Sequence, residues 1–203
     1  MYTLYYSQNA CSLATQVVLN ELNQEIKMIN VQQLDNFKSI NPVGSVPVLV
    51  DGKNTLAEGA AIMLHILNKH ANSLFPNNKE PRQKAIQNIM FANATMHPAY
   101  SKLFFIEQNI KDENTKLLAF NAASLSINHL WQVVENQLIN NDFLGGDTAS
   151  AADIMLCVYS RWGAYFPVDI TIGHRTKKML DAVQSMQSFI KAVETEQRVS
   201  SKQ

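Results

Sequence analysis

The sequence places a cysteine and a serine, Cys11 and Ser12, where a strand-forming segment gives way to a helical one. Residues 2–6 are rich in types that favour strands, and residues 13–22 repeat apolar side chains at helical spacing. Cys11 is therefore predicted at a helix N-terminus, where unpaired N–H groups and the helix dipole stabilise a thiolate. Thiol–disulfide exchange is the chemistry that this position favours. The alternative is a small residue that fills the turn.

The stretch "INPVGSVPVLVDG" puts a proline directly before a predicted strand. Pro47 has no N–H to donate to a strand partner, so it needs another reason to stand there. A cis peptide bond between Val46 and Pro47 would form a tight bend and expose the N–H and C=O groups of Val46. Such a pair of backbone groups could bind a peptide-like ligand as an added strand would.

The stretch "LAEGAAIMLHIL" places Glu58 and Gly59 between a strand and a helix. Backbone N–H groups at the start of a helix can receive a carboxylate from a ligand. The alternative is that Glu58 is an acidic residue in a first helical turn, where the helix dipole favours it.

The first seventy residues predict the order β-α-β-β-β-α, which gives a mixed sheet with helices packed on it. Asp51-Gly52 is a hairpin signal, so the strands on either side of it should pair antiparallel. The predicted strands lie near 2–6, 26–31, 47–50 and 55–57, and the helices near 11–23, 58–70 and, as a short turn, 37–40.

A polar, proline-bearing linker at 72–81 separates this region from one that is helical throughout. His97-Pro98 is predicted to kink the first long helix. We therefore predict an α/β domain over 1–73 and an all-α domain over 79–203. The helices of the second domain are expected near 83–109, 113–139, from 150 onward, 173–185 and 187–196.

The composition argues against several classes of protein. The 203 residues include seventeen basic and seventeen acidic ones, so no charge bias points to nucleic acid or to an anionic membrane. No secretory leader or membrane-spanning apolar run is visible. Two cysteines, Cys11 and Cys157, indicate a reduced, cytoplasmic protein. The five histidines are scattered, so no metal site is expected.

The three stretches resemble the glutathione transferase family, and "YYSQNACSLA" is most similar to its bacterial, cysteine-bearing (beta-like) members. A fourth stretch, "FLGGDTASAADIMLCVYSRW", resembles the signature of the family's helical domain, in which Ser150 and Asp153 form a capping box. The resemblance implies a thioredoxin-like N-terminal domain, an all-helical C-terminal domain and a homodimer.

The resemblance also implies roles for individual residues. Val46 would pair through its backbone with the cysteinyl part of glutathione, and Glu58 and Gly59 would hold the γ-glutamyl end. The implied catalytic residues are Cys11, Ser12, Tyr6 and His97, and the implied glutathione-binding residues are Val46, Pro47, Glu58, Gly59 and Lys38. The alternative for His97 is a helix residue at a proline kink.

This sequence departs from the family pattern at three points. The usual Pro-Gly after the first strand is Gln8-Asn9, the serine after the glutamate is Gly59, and the basic residue after the histidine is Pro98. The expected activity is conjugation of glutathione, as a co-substrate, to small electrophiles, a detoxification chemistry, with thiol–disulfide exchange through Cys11. The alternative is a non-catalytic binding or regulatory protein of the same architecture.

Overall fold

The computed structural model describes residues 1–200, with side chains described through Arg198. The chain forms two compact units. The first contains Met1–Phe75 together with the C-terminal segment from Gln184, and the second contains Pro76–Val183.

A four-stranded sheet forms the centre of the first unit. Its strands are β1 (Tyr2–Tyr6), β2 (Ile26–Asn30), β3 (Val48–Asp51) and β4 (Asn54–Ala57), in the order β2-β1-β3-β4. β1 pairs parallel with β2, while β3 pairs antiparallel with both β1 and β4. The β3–β4 connection is the hairpin that Asp51-Gly52 predicts, and Gly52 has the positive φ of +60° that its turn requires.

Three helices of this unit each follow a strand of the sheet along the chain. They are α1 (Ser12–Glu21), α2 (Phe37–Ile40) and α3 (Gly59–Lys69). Leu13 and Val17 on α1 and Ile62 on α3 are fully buried, as is Leu49 on β3. Burial of these apolar side chains is the main stabilising contribution in the unit.

The second unit is helical and contains α4 (Lys79–Phe91), α5 (His97–Asn109), α6 (Glu113–Gln137), α7 (Ala151–Ser160) and α8 (His174–Gln184). A π-helical turn, Ala92–Met96, joins α4 to α5. The sequence predicts one helix over 83–109 with a kink at His97-Pro98. The irregularity instead precedes His97, and Pro98 lies in the first turn of α5, where its missing N–H is tolerated.

The last helix, α9 (Gln187–Ser200), differs from the predicted division of the chain. The sequence assigns it to a domain over 79–203, whereas in the structure it packs on α1 in the first unit. Phe189 and Ala192 are buried there, and the side-chain amide of Asn20 donates a 3.2 Å hydrogen bond to the Ser188 carbonyl. Residues 201–203 of the predicted domain lie outside the described residues.

The mixed sheet and the helical remainder agree with the fold class predicted from the sequence. Across residues 1–200, no helix has the length and apolar character needed to cross a bilayer.

Candidate active site

The turn between β1 and α1 is closed by Ser12. Its hydroxyl donates to the Ser7 carbonyl at 3.3 Å and accepts from the Ser7 N–H at 3.4 Å. The Ala10 N–H donates to the same carbonyl, and Asn9 adopts a left-handed conformation with φ of +58°. Ser12 is fully buried, and its hydroxyl makes hydrogen bonds within the turn.

Cys11 and Val46, two of the predicted site residues, meet in this structure. The Cys11 thiol donates a hydrogen bond to the Val46 carbonyl, with 3.2 Å between Sγ and O. Cys11 is the residue immediately before α1, and Val46 is joined by a cis peptide bond to Pro47, the conformation expected from the sequence. Both Cys11 and Val46 are half-buried, whereas Pro47 is buried.

The pKa of the Cys11 thiol is raised, whereas a stabilised thiolate would have a lowered pKa. Burial raises the pKa of the Cys11 thiol to about 11, and the negative charge of Glu58 acts in the same direction. The backbone N–H groups of Cys11 and Ser12 lower this pKa, as the helix position predicts, but their effect is smaller. The thiol is therefore protonated at neutral pH and acts as a hydrogen-bond donor.

Glu58 lies before the first residue of α3 in a left-handed conformation with φ of +70°. A non-glycine residue in this region costs about 1–3 kcal/mol and persists where the surrounding structure imposes it. The Glu58 carbonyl accepts the hydrogen bond of the Ile62 N–H, which begins α3, and its side chain is exposed. Gly59 is the first residue of α3, one residue after the predicted start near 58.

Tyr6 is 1% exposed at the end of β1. Its hydroxyl has no hydrogen-bond partner among the described residues, and none of the hydrogen bonds there joins it to Cys11. Burial raises the pKa of Tyr6, and the negative charge of Glu196 on α9 raises it further. The Tyr6 hydroxyl is therefore not hydrogen-bonded to the Cys11 thiol.

Lys38 is exposed on α2. Its aliphatic stem lies beside the turn at Gly44. A Cβ atom added to that glycine would stand 3.3 Å from Lys38 Cε. Within the described part of the chain, no hydrogen bond joins Lys38 to Cys11, Val46 or Glu58.

His97 belongs to the second unit and begins α5 directly after the π-helical turn. Its Nδ1 lies 3.2 Å from the Ser101 hydroxyl, and its ring packs edge-on against Tyr159 and Trp162, each at 5.2 Å between ring centroids. Burial lowers the pKa of His97, so its imidazole is neutral at physiological pH. π-helical turns are frequent at functional sites.

One residue near the site escaped the sequence analysis. The carboxylate of Glu196 on α9 accepts a 2.9 Å hydrogen bond from the Asn9 N–H, and Glu196 is 2% exposed. The signal was the placement of an acidic residue in an apolar stripe, since Phe189, Ala192 and Glu196 recur at helical spacing and all three are buried.

Among the side chains described, Met1 to Arg198, no three histidine, cysteine, aspartate or glutamate residues gather as a metal site requires.

The protein-family model for the glutathione S-transferase N-terminal domain matches residues 1–68. Glutathione S-transferase GST-4.5 from Xanthomonas campestris pv. campestris is 29% identical over 174 residues, which are 83% of this chain and 85% of the relative. A bacterial beta class glutathione S-transferase structure from Sphingomonas chungbukensis has 26% identity and a TM-score of 0.83, covering 96% of this chain and 98% of that chain. A sphingomonad glutathione S-transferase structure complexed with glutathione has 25% identity, the same TM-score of 0.83 and the same coverage, 96% and 98%. The family resemblance and the fold class predicted from the sequence are confirmed.

Proposed function

We propose that this chain, whose residues 1–68 match the family model of the glutathione S-transferase N-terminal domain, is an enzyme that conjugates the glutathione thiolate to small electrophiles. The observation that carries the proposal is the 3.2 Å hydrogen bond from the Cys11 thiol to the Val46 carbonyl. It puts a sulfur atom beside a backbone group suited to hold the cysteine of a bound tripeptide. The relatives named as glutathione S-transferases and the sphingomonad complex support glutathione as the co-substrate.

Glutathione would lie along the first unit. Its cysteinyl part would pair with the backbone of Val46, ahead of Pro47, in the manner of an added strand. The γ-glutamyl carboxylate would be received by the N–H groups at the start of α3, beside Glu58 and Gly59. Lys38, an exposed cation on α2, would attract the remaining carboxylate.

Two sulfur atoms would then share the site. A free thiol such as that of glutathione has a pKa of about 8.5, whereas burial raises the pKa of Cys11 to about 11. The glutathione sulfur therefore ionises first, and Cys11 remains protonated. Once the ligand N–H takes the Val46 carbonyl, the Cys11 S–H is released and can donate a hydrogen bond to the glutathione thiolate. Ser12 and Tyr6 are the other candidate donors.

The thiolate would attack the electrophile, forming a carbon–sulfur bond while the leaving group departs with its electron pair. The helical second unit, Pro76–Val183, is proposed to bind this electrophile. His97 supplies a neutral imidazole there, which can accept a proton.

Thiol–disulfide exchange through Cys11 is proposed as a second activity, favoured by the partial exposure of the residue. The Cys11 thiolate would bond to one sulfur of oxidised glutathione, and the other glutathione would leave as a thiolate. With a pKa of about 11, about one Cys11 in ten thousand is ionised at pH 7, so this exchange is expected to be slow.

A homodimer in the cytoplasm is proposed for the assembled protein. The second unit exposes large apolar side chains on α5 and α6 that a partner copy would cover: Phe105, Leu117, Leu118 and Leu125. Light scattering at micromolar concentration is expected to give twice the mass of one chain, and a monomer would exclude this assembly.

The experiment measures retention on immobilised glutathione, followed by conjugation of a chlorinated nitroaromatic, for the wild type and Cys11→Ala. Cys157→Ala is the matched control, because Cys157 is fully buried on α7 in the second unit. We expect the wild type and the control to bind and conjugate. We expect Cys11→Ala to bind glutathione but to conjugate at least tenfold more slowly at pH 7.

Failure of the wild type to bind glutathione would leave the alternative, a binding or regulatory protein of this architecture. Binding without conjugation of several electrophiles would point the same way. Unchanged conjugation in Cys11→Ala would transfer the donor role to Ser12 or Tyr6.

A further inference from the structure

A buried carboxylate from the far end of the chain holds the turn that precedes Cys11. Glu196 on α9 is 2% exposed, and its Oε2 atom accepts the Asn9 N–H at 2.9 Å. The two residues stand 187 positions apart in the chain. A hydrogen bond to an ionised acceptor is stronger than one between neutral groups, particularly where water is excluded.

The turn has a defined conformation that the carboxylate helps to hold. Asn9 has a φ of +58°, in the left-handed region, which asparagine adopts more readily than most other residues with a side chain. The Ser7 carbonyl closes the turn from one side through the Ala10 N–H and the Ser12 hydroxyl. The Glu196 carboxylate fixes the Asn9 N–H from the other.

The helix that carries Glu196 is itself firmly attached. Phe189 and Ala192 are buried beside α1, and the Asn20 amide donates to the Ser188 carbonyl at 3.2 Å. The carboxylate is therefore held by a well-packed helix, and it contacts the turn at Asn9, two residues before Cys11. The negative charge of Glu196 also raises the pKa of the Tyr6 hydroxyl at the end of β1.

We propose that Glu196 is a positioning residue whose carboxylate keeps the turn at Asn9, and with it the Cys11 thiol, in place at the Val46 carbonyl. The inference rests on the proposed function only for its catalytic consequence. The placement of the thiol is a property of the protein alone. Without the acceptor, the turn relaxes, the thiol leaves the carbonyl and becomes hydrated, and it ionises more readily.

The test measures the rate of Cys11 alkylation by iodoacetamide at pH 8 in the full chain, with mass spectrometry to locate the label. Glu196→Ala removes the acceptor, Glu196→Gln keeps an amide oxygen in its place, and Glu194→Ala is the control because Glu194 is exposed on the same helix. We expect alkylation about tenfold faster in Glu196→Ala, since loss of burial shifts the thiol pKa toward its ordinary value. We expect a rate within about twofold of wild type in Glu194→Ala, which leaves the acceptor in place. We expect Glu196→Gln to lie between wild type and Glu196→Ala, because the amide keeps an acceptor oxygen but lacks the charge.

A second measurement covers the case in which Glu196→Ala does not fold. Amide hydrogen exchange at Asn9 is expected to be slow in the wild type and in Glu196→Gln. Fast exchange at Asn9 in the wild type, or equal alkylation rates in folded Glu196→Ala and wild type, would overturn the proposal. Neither readout uses glutathione, so a wild type that ignores glutathione defeats the proposed function and leaves this inference standing.

Discussion

The carboxylate of Glu135 on α6 accepts hydrogen bonds from both the N–H and the hydroxyl of Thr176 in the first turn of α8, at 2.8 and 2.7 Å. The N–H of Arg175 and its guanidinium donate to the other carboxylate oxygen, at 3.1 and 3.2 Å. A side chain of one helix thus caps the start of another. Glu135 and Thr176 are both buried, so the two Thr176 donors have little access to water if the carboxylate is removed.

The first prediction concerns this cap. Glu135→Ala is expected to lower the free energy of unfolding at pH 7 by about 3 kcal/mol, because it leaves buried donors without an acceptor. Urea denaturation followed by circular dichroism measures the change. Asp142→Asn is the control, since Asp142 and Lys178 form an exposed ion pair that should contribute under about 1 kcal/mol.

The same site predicts a pH dependence. Burial raises the pKa of Glu135, but the hydrogen bonds from Thr176 and Arg175 outweigh it, and the net pKa is lowered. A carboxylate with a lowered pKa stabilises the fold above its unfolded pKa, and this contribution is lost as the pH falls through the folded pKa. The stability difference between wild type and Glu135→Gln should therefore be largest near pH 7 and shrink below about pH 4. A difference that is constant from pH 7 to pH 3 would contradict this account.

The second prediction concerns the acidity of Cys11. With a pKa of about 11, its alkylation rate should rise about tenfold for each pH unit from 7 to 9, with no plateau. Labelling by iodoacetamide, quantified at Cys11 by mass spectrometry, gives the profile, and Cys11→Ala gives the background. A rise of only about threefold between pH 8 and pH 9 would instead mean an ordinary thiol with a pKa near 8.5.

The third prediction concerns Tyr6. Its buried hydroxyl has no partner among the described residues, and such a group costs about 1 kcal/mol or more. Tyr6→Phe is therefore expected to unfold at an equal or higher urea concentration than wild type, with kcat for conjugation unchanged within about twofold. A lower kcat at unchanged stability would instead assign Tyr6 the role of donor to the glutathione sulfur.

The fourth prediction concerns the start of α7. The Ser150 hydroxyl accepts the Asp153 N–H, the Ser150 N–H donates to the Asp153 carboxylate at 2.8 Å, and both residues are buried. Ser150→Ala is expected to lower the free energy of unfolding by about 1–2 kcal/mol through loss of the cap. Ser126→Ala, at an exposed position on α6, is the control and should leave stability unchanged or slightly higher. Equal effects of the two substitutions would exclude a capping role.

The sequence predicted what depends on local pattern and failed where distant residues decide. The hairpin at Asp51-Gly52, the capping box of Ser150 and Asp153, and the bend at Val46 all follow from neighbouring residues. At Cys11 the N–H groups of the helix start lower the thiol pKa, as the local sequence predicts. Burial raises this pKa by more, and burial depends on how the whole unit packs, which the local sequence does not specify. The packing of α9 on α1 was likewise invisible, because an amphipathic helix does not specify which surface covers it.

The π-helical turn at Ala92–Met96 has a consequence for the helix after it. A π-helical turn contains one residue more than an α-helical turn. This extra residue rotates the side chains that follow it by about 100° around the helix axis. That rotation determines which side chains of α5 face inward, including Tyr100, whose buried hydroxyl accepts the Trp131 indole N–H at 2.8 Å. The five residues of this turn thus determine how α5 is rotated about its axis. Deletion of one of them would keep the composition of the helix and change its inward face.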